Sequence, residues 1–158
     1  MSEPSWINKE LLQELTAQAQ AAPRKRKNHN FHAGDAAPCQ RLLNAVEPES
    51  YIPPHRHLDP LKDETLLLLS GRIGIVFFDE QGTITSDAVL DANASRFGVT
   101  IPAGAFHTLV SLIIGTVFFE AKAGPYAPLS PDERASWAPG EGDPAAAAYL
   151  AMLKRRFA

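Results

Sequence analysis

Two histidines one residue apart, His55 and His57, stand in the stretch PPHRHLDPLKDETLLLLSG, and a carboxylate, Glu64, follows at the head of an apolar run. Residues two apart on an extended chain point to the same face. Pro53 and Pro54 encourage extension over Tyr51 to His57, so the two imidazoles converge. The segment LDPLKD then turns, with Pro60 as its breaker, and Glu64 shares a strand face with Leu66 and Leu68. A lone inward carboxylate is costly to bury. Beside two imidazoles and a divalent cation it is not. A second stretch, IPAGAFHTLVS, supplies a third imidazole: Pro102 and Gly104 shape a turn, and His107 begins a strand whose face it shares with Leu109 and Ser111. Nitrogen and oxygen donors of this kind suit Fe, Mn, Zn, Ni or Co, although nothing in the second stretch alone demands a metal. Such a set leaves positions for water, a substrate oxygen or dioxygen.

The elements that must position these groups are short. Residues 7–20 read as a helix, with Ile7, Leu11, Leu12 and Leu15 at helical spacing. Pro23 and the basic cluster Arg24–Lys27 end it, and the cluster reads as a solvated linker. Residues 29–38 read as loop or irregular strand. Strands are expected over Gln40–Val46, Ile73–Phe78, Thr83–Leu90, Phe97–Ile101, Thr108–Leu112 and Thr116–Ala121, separated by Gly- and Pro-containing turns. Short strands at this spacing favour an all-β sandwich or barrel. The tail returns to helix, with Asp143 as N-cap, Pro144 at the first helical position and cations at the far end, where the helix dipole favours them.

Other polar groups are candidates for the surroundings of the metal. Phe118, Glu120 and Lys122 share a strand face, and Glu120 and Lys122 are the catalytic candidates. Substrate-binding candidates are Lys62 in the ligand loop, Tyr126 as a cap, and Arg41 and Asn44 on an upstream strand. Arg41 and Asn44 face opposite sides, so at most one looks inward. Arg56, between the two histidines, points away from them and reads as structural. The single cysteine, Cys39, reads as a small buried apolar residue.

The chain has 158 residues, 45% of them hydrophobic, and a formal net charge of -3. This length can bury one core, and this charge gives no electrostatic case for nucleic acid or an anionic membrane as partner. One cysteine excludes an internal disulfide and favours a reducing, cytoplasmic setting. The N-terminus lacks the order of a signal peptide, and no apolar run is long enough to span a bilayer.

Together the two stretches resemble the two cupin motifs. The first is a His-x-His, then a Glu, then six residues and a Gly, matched by His55, His57, Glu64 and Gly71. The second is Pro-x-Gly-x-x-His, matched by Pro102, Gly104 and His107. Glu49 and Ser111 stand where cupins often carry Gly and Asn, and the gap from His57 to Glu64 is longer than usual. The runs SYIPPHRHLDPLKDETLLLLSGRIGIVFFDEQG and FFEAKAGPYAPL resemble the WbuC family of cupin metalloproteins, over about Asn28 to Glu141. The resemblance implies a cupin jelly-roll barrel or sandwich over 29–141, and the residue patterns add an N-terminal helix and basic linker over 1–28 and a C-terminal helix over 142–158. It implies one divalent transition metal on His55, His57, Glu64 and His107. The family's association with O-antigen and other lipopolysaccharide gene clusters implies a small polar substrate such as a sugar or nucleotide sugar. An isomerase- or epimerase-like reaction is expected. An Fe(II)-dependent dioxygenase and a non-catalytic sugar-binding or regulatory module are the alternatives. Exposed sheet edges and apolar stripes on the terminal helices lead to the expectation of a homodimer.

Overall fold

The alternation read in the middle of the sequence becomes eight strands in two antiparallel sheets. In this computed structural model residues 3–158 are described, so Met1 and Ser2 of the expected N-terminal segment lie outside the described residues. The order is α1 (Lys9–Ala21), β1 (Arg26–Asn30), β2 (Cys39–Val46), β3 (Glu64–Ser70), β4 (Arg72–Phe78), β5 (Ile84–Asp91), β6 (Gly98–Ile101), β7 (Phe106–Ser111), β8 (Thr116–Ala123) and α2 (Ala146–Arg155), with a 3-10 turn at Pro131–Glu133 before α2. One sheet runs β1-β2-β8-β3-β6 and the other β5-β4-β7. This is a double-sheet jelly roll.

Burial follows the period of two. On β3, Glu64, Leu66 and Leu68 are buried while Leu67 and Leu69 are exposed. Leu66, Leu68, Ile73, Ile75, Leu109 and Phe118 belong to the core between the sheets. Each such side chain contributes about 1.5–3 kcal/mol by leaving water. Both outer faces are partly covered by the terminal segments. Leu15 and Ala19 of α1 pack on Leu43, Ala45 and Val117. Leu150 and Leu153 of α2 pack with Val76, Phe78 and Val110 on the other sheet. At Gly74 a Cβ would lie 2.3 Å from the Phe157 ring, so the glycine lets the C-terminal tail lie flat on β4.

Three expectations change. The basic cluster is not a free linker, because β1 begins at Arg26 and pairs with β2, Arg26 opposite Val46. Polar RKNHN lacks the β-branched signature, yet an edge strand needs only backbone pairing and one covered face. Cys39 is exposed at the start of β2 rather than buried. The C-terminal helix starts at Ala146 with Ala145 as its cap. Asp143 instead closes the preceding turn, its Oδ1 accepting from the Ala145 N–H at 2.8 Å.

Candidate metal centre

Backbone pairing draws the two motifs together. The His55 N–H donates to the His107 carbonyl at 3.0 Å, and the His107 N–H donates back to His55 at 2.9 Å. Gly104 donates its N–H to the His57 carbonyl at 2.7 Å. Its φ of +85° lies in the left-handed region that glycine tolerates. Arg56 turns outward, as expected: its guanidinium lies 4.1 Å from the Phe106 ring centroid and donates to Glu80 at 2.6 Å.

The four side chains converge. Donor atoms of His55, His57 and Glu64 lie within 4.8 Å of one another. His107 joins through Glu64, with Nε2 3.3 Å from Oε2. His57 Nε2 is 2.7 Å from Glu64 Oε1, yet the angles make no hydrogen bond, and among the described residues this buried nitrogen has no hydrogen-bond partner. Two donors side by side on a transition metal with bonds of about 2.0–2.2 Å stand about 3 Å apart, which is the spacing seen. The tautomers fit as well. Nδ1 of His55 lies 3.0 Å from the Pro53 carbonyl, and Nδ1 of His107 lies 2.9 Å from that of Ala105. A carbonyl only accepts, so each Nδ1 carries the proton and each Nε2 presents a lone pair to the centre. The donor set therefore fits a divalent metal.

The electrostatics favour cation binding. Burial, and then the neighbouring His107, push His55 down to about 4, so its ring is neutral and able to ligate. Burial opposes ionisation of Glu64, but the neighbouring His107 and His57 rings and the charge of Lys122 outweigh it and hold the carboxyl well below the usual range. The β3–β8 register places Lys122 opposite Glu64. Its Nζ lies 3.2 Å from Glu64 Oε1 and 2.8 Å from Glu120 Oε1. Burial opposes the ammonium's charge, but the Glu120 and Glu64 carboxylates raise its pKa above the ordinary lysine value. Asn44 Nδ2 donates to Glu120 Oε2 at 2.7 Å. Asn44, Glu120, Lys122 and Glu64 thus form one polar chain on the wall of a cavity of about 160 Å³, which His55 and His107 also line. Leu66, Leu109 and Phe118 supply apolar wall.

A second cavity of about 220 Å³ is also lined by His55, together with His57, Lys62, Lys122 and Tyr126. Lys62 Nζ donates to the Pro125 carbonyl at 2.8 Å. Tyr126 is 54% exposed at this mouth. Arg41 is a correction among the substrate-binding candidates: it is exposed on the opposite face of β2 from Asn44, with its guanidinium turned to the Phe31 carbonyl. Alternation allowed one of the two to look inward, and it is Asn44. Ser111, at the position where cupins often carry Asn, donates to the Ile113 carbonyl at 2.9 Å and shapes the β7–β8 turn.

Two contributors escaped the sequence reading. Arg26 lines the cavity with the ligands, and its signal was the alternation of Arg26, Asn28 and Asn30 along β1. Glu133 steadies the ligand loop, its Oε1 accepting from the Leu58 N–H at 2.9 Å and its Oε2 from Ser130 at 2.9 Å. The SPDE capping box was the available sign.

The fold is a double-sheet jelly roll, and the three imidazoles and one carboxylate gathered inside it are a donor set that could hold a metal ion. The chain belongs to the family described as a domain of unknown function, DUF6016, which matches residues 7–90. No curated protein matches the sequence. Among solved structures the fold is similar to that of CapF, solved with the inhibitor 3-isopropenyl-tropolone, at a TM-score of 0.57 and 21% identity, covering 70% of this chain and 31% of that one. It is also similar to KdgF from Halomonas sp., at a TM-score of 0.51 and 12% identity over 67% of this chain and 84% of that one. The protein BH2720 from Bacillus halodurans matches at 0.51 and 18% identity over 80% and 85%. The chain spans about a third of the length of CapF. Among the described residues no helix is long and apolar enough to cross a membrane.

Proposed function

We propose that this protein is a mononuclear metal-dependent enzyme acting on a small polar metabolite, a sugar or nucleotide sugar of surface-polysaccharide metabolism, by isomerase- or epimerase-like proton transfer. The observation that carries the reading is the Asn44–Glu120–Lys122 chain beside the donor set. A module that only bound a ligand would need no such paired acid and base. The resemblance to the WbuC family supports the substrate class. The cytoplasmic setting is part of the same reading, and so is a homodimer.

His55, His57, Glu64 and His107 would hold the metal, which supplies a Lewis acid for a substrate oxygen. Lys122 orients Glu64 through its hydrogen bond. Glu120, held by Asn44 and Lys122, presents a carboxylate oxygen to take a proton from substrate, and the Lys122 ammonium can return one. Leu66, Leu109 and Phe118 keep water from this exchange.

The test is deuterium exchange. Metal-loaded protein is incubated in D₂O with a panel of sugars and nucleotide sugars, and mass spectrometry follows incorporation at carbon. Incorporation that disappears in Glu120→Gln is the expected result. Oxygen consumption by the iron form without exchange would replace this reading with the dioxygenase. Binding without exchange or oxygen uptake would replace it with the non-catalytic module.

A further inference from the structure

The basic cluster points to a second recognition element. Two of its guanidiniums converge on one carboxylate, that of Glu141. Arg24 donates from Nε to Oε1 at 2.6 Å and from Nη2 to Oε2 at 2.7 Å, and Arg26 donates from Nη2 to Oε2 at 2.9 Å. The Arg24 contact is the two-point fork by which guanidinium reads carboxylates and phosphates alike. The hydrogen bond from Arg24 overcomes the cost of burial and, with Arg26, holds the Glu141 carboxyl down to about 2. Arg26 does not depend on Glu141 for its direction. Its Nη1 donates to Ser50 Oγ and to the Tyr51 carbonyl, both at 3.2 Å.

Position gives the pair its meaning. Arg24 and Arg26 line a groove of about 460 Å³ along the amide side chains of Asn28, Asn30 and Gln40. Arg26, Asn44, Glu120 and Lys122 line both this groove and the cavity that contains the donor set. Glu141 reaches the arginines from the loop before α2, between Gly140 and Gly142, the latter at a φ of +85°. Its side chain is 36% exposed and that of Arg24 63%, so the contact is open to solvent. Flanking glycines let such a loop swing at little steric cost.

We propose that Arg24 and Arg26 form an anion subsite for the phosphate or diphosphate group of a ligand whose other end lies at the metal centre. Glu141 fills this subsite as a tethered carboxylate until the ligand displaces it. The subsite rests on the reading of the metal cavity as the place where substrate is held, and it selects phosphorylated members of the proposed substrate class. Without it, the Arg–Glu cluster would be only a clamp between β1 and the C-terminal segment.

Titration calorimetry with inorganic pyrophosphate on dialysed, metal-free protein separates subsite from clamp, and it is independent of turnover. If the subsite exists, Glu141→Gln binds pyrophosphate at least about tenfold more tightly than the unaltered chain, because the resident competitor is gone. Adding Arg24→Ala to Glu141→Gln abolishes that gain. Equal affinities in Glu141→Gln and the unaltered chain, with a lowered melting temperature, would make the cluster a clamp and overturn the proposal. Should Glu141→Gln not fold, glutamyl endopeptidase on the unaltered protein decides. Saturating pyrophosphate is expected to speed cleavage after Glu141 relative to chloride at matched ionic strength, and equal rates overturn the subsite. Pyrophosphate binding without any exchange chemistry would leave the subsite standing and remove only the enzymatic reading.

Discussion

Lys122→Met tests the electrostatic logic of the centre at one atom. The ammonium sits between two carboxylates, 3.2 Å from Glu64 and 2.8 Å from Glu120, and its side chain is only 20% exposed. Methionine keeps the stem and removes the charge, so two partly buried anions face one cavity unneutralised. Breaking a buried ion pair by deleting one partner costs about 3–5 kcal/mol, and the remaining exposure argues for the lower end. For a chain of this length, 1 kcal/mol moves the midpoint by about 2–4 °C. The metal-free variant should therefore melt about 6–12 °C below the unaltered protein. A divalent cation brings positive charge back beside Glu64, so metal should stabilise the variant more than the parent, following the ratio of metal concentration to dissociation constant. Differential scanning calorimetry on dialysed protein, titrated with Mn(II), reads both quantities. A metal-free midpoint unchanged within about 2 °C would show that Lys122 neutralises nothing. A smaller metal-induced rise in the variant would show that the cation does not bind next to Glu64.

His57→Ala should lower the metal content of protein purified without an affinity tag far more than Arg56→Ala, measured by plasma mass spectrometry, because Arg56 contacts Phe106 and Glu80 and not the donor set. Imidazoles bind metal only when deprotonated, so the melting-temperature gap between metal-loaded and chelator-treated protein should be widest at pH 8 and close towards pH 5. In the metal-free chain the depressed His55 adds a slope of its own. An unfolded histidine titrates near ~6.5 and His55 in the fold near about 4, so the stability from its neutral ring is complete above pH ~6.5 and is lost as pH falls through about 4. Sedimentation equilibrium at micromolar concentration should return a dimer. Leu67 at 39%, Leu69 at 40% and Phe97 at 51% exposure leave apolar surface outside β3 and β6, and a mass of 17.2 kDa would refute the dimer.

The sequence made the inner wall of the barrel easier to read than its outer supports. Glu64, Leu66 and Leu68 alternate cleanly, so the side on which the carboxylate lies followed from the period of two. The same rule set Phe118, Glu120 and Lys122 on one face and separated Asn44 from Arg41. It failed at β1, where five polar residues pair with β2 at the sheet edge and leave no apolar stripe. It also gave no sign of Glu141, whose partners Arg24 and Arg26 lie 117 and 115 positions away. Contacts of that range arise from the return of the C-terminal segment across the barrel, and no local pattern encodes them. Glu47 illustrates the same limit: it is 2% exposed and accepts from the Gly115 N–H at 3.1 Å, a partner 68 positions away.

The reciprocal backbone pairing of His55 with His107 sets an order of events during biosynthesis. His55, His57 and Glu64 leave the ribosome well before His107, and before Lys122 of β8, which steadies Glu64. A nascent chain at that stage offers three loosely held donors with no wall around them and no partner strand to fix the first imidazole. Domains acquire their structure as units while synthesis proceeds, and here that unit is not complete until β7 has docked on β4 and β8 on β3. Metal captured earlier would be held by a partial, flexible set and would exchange readily with the cell's pool. The ion retained by the finished protein would therefore be chosen after sheet closure, from whatever metals compete at that moment for a preformed cage.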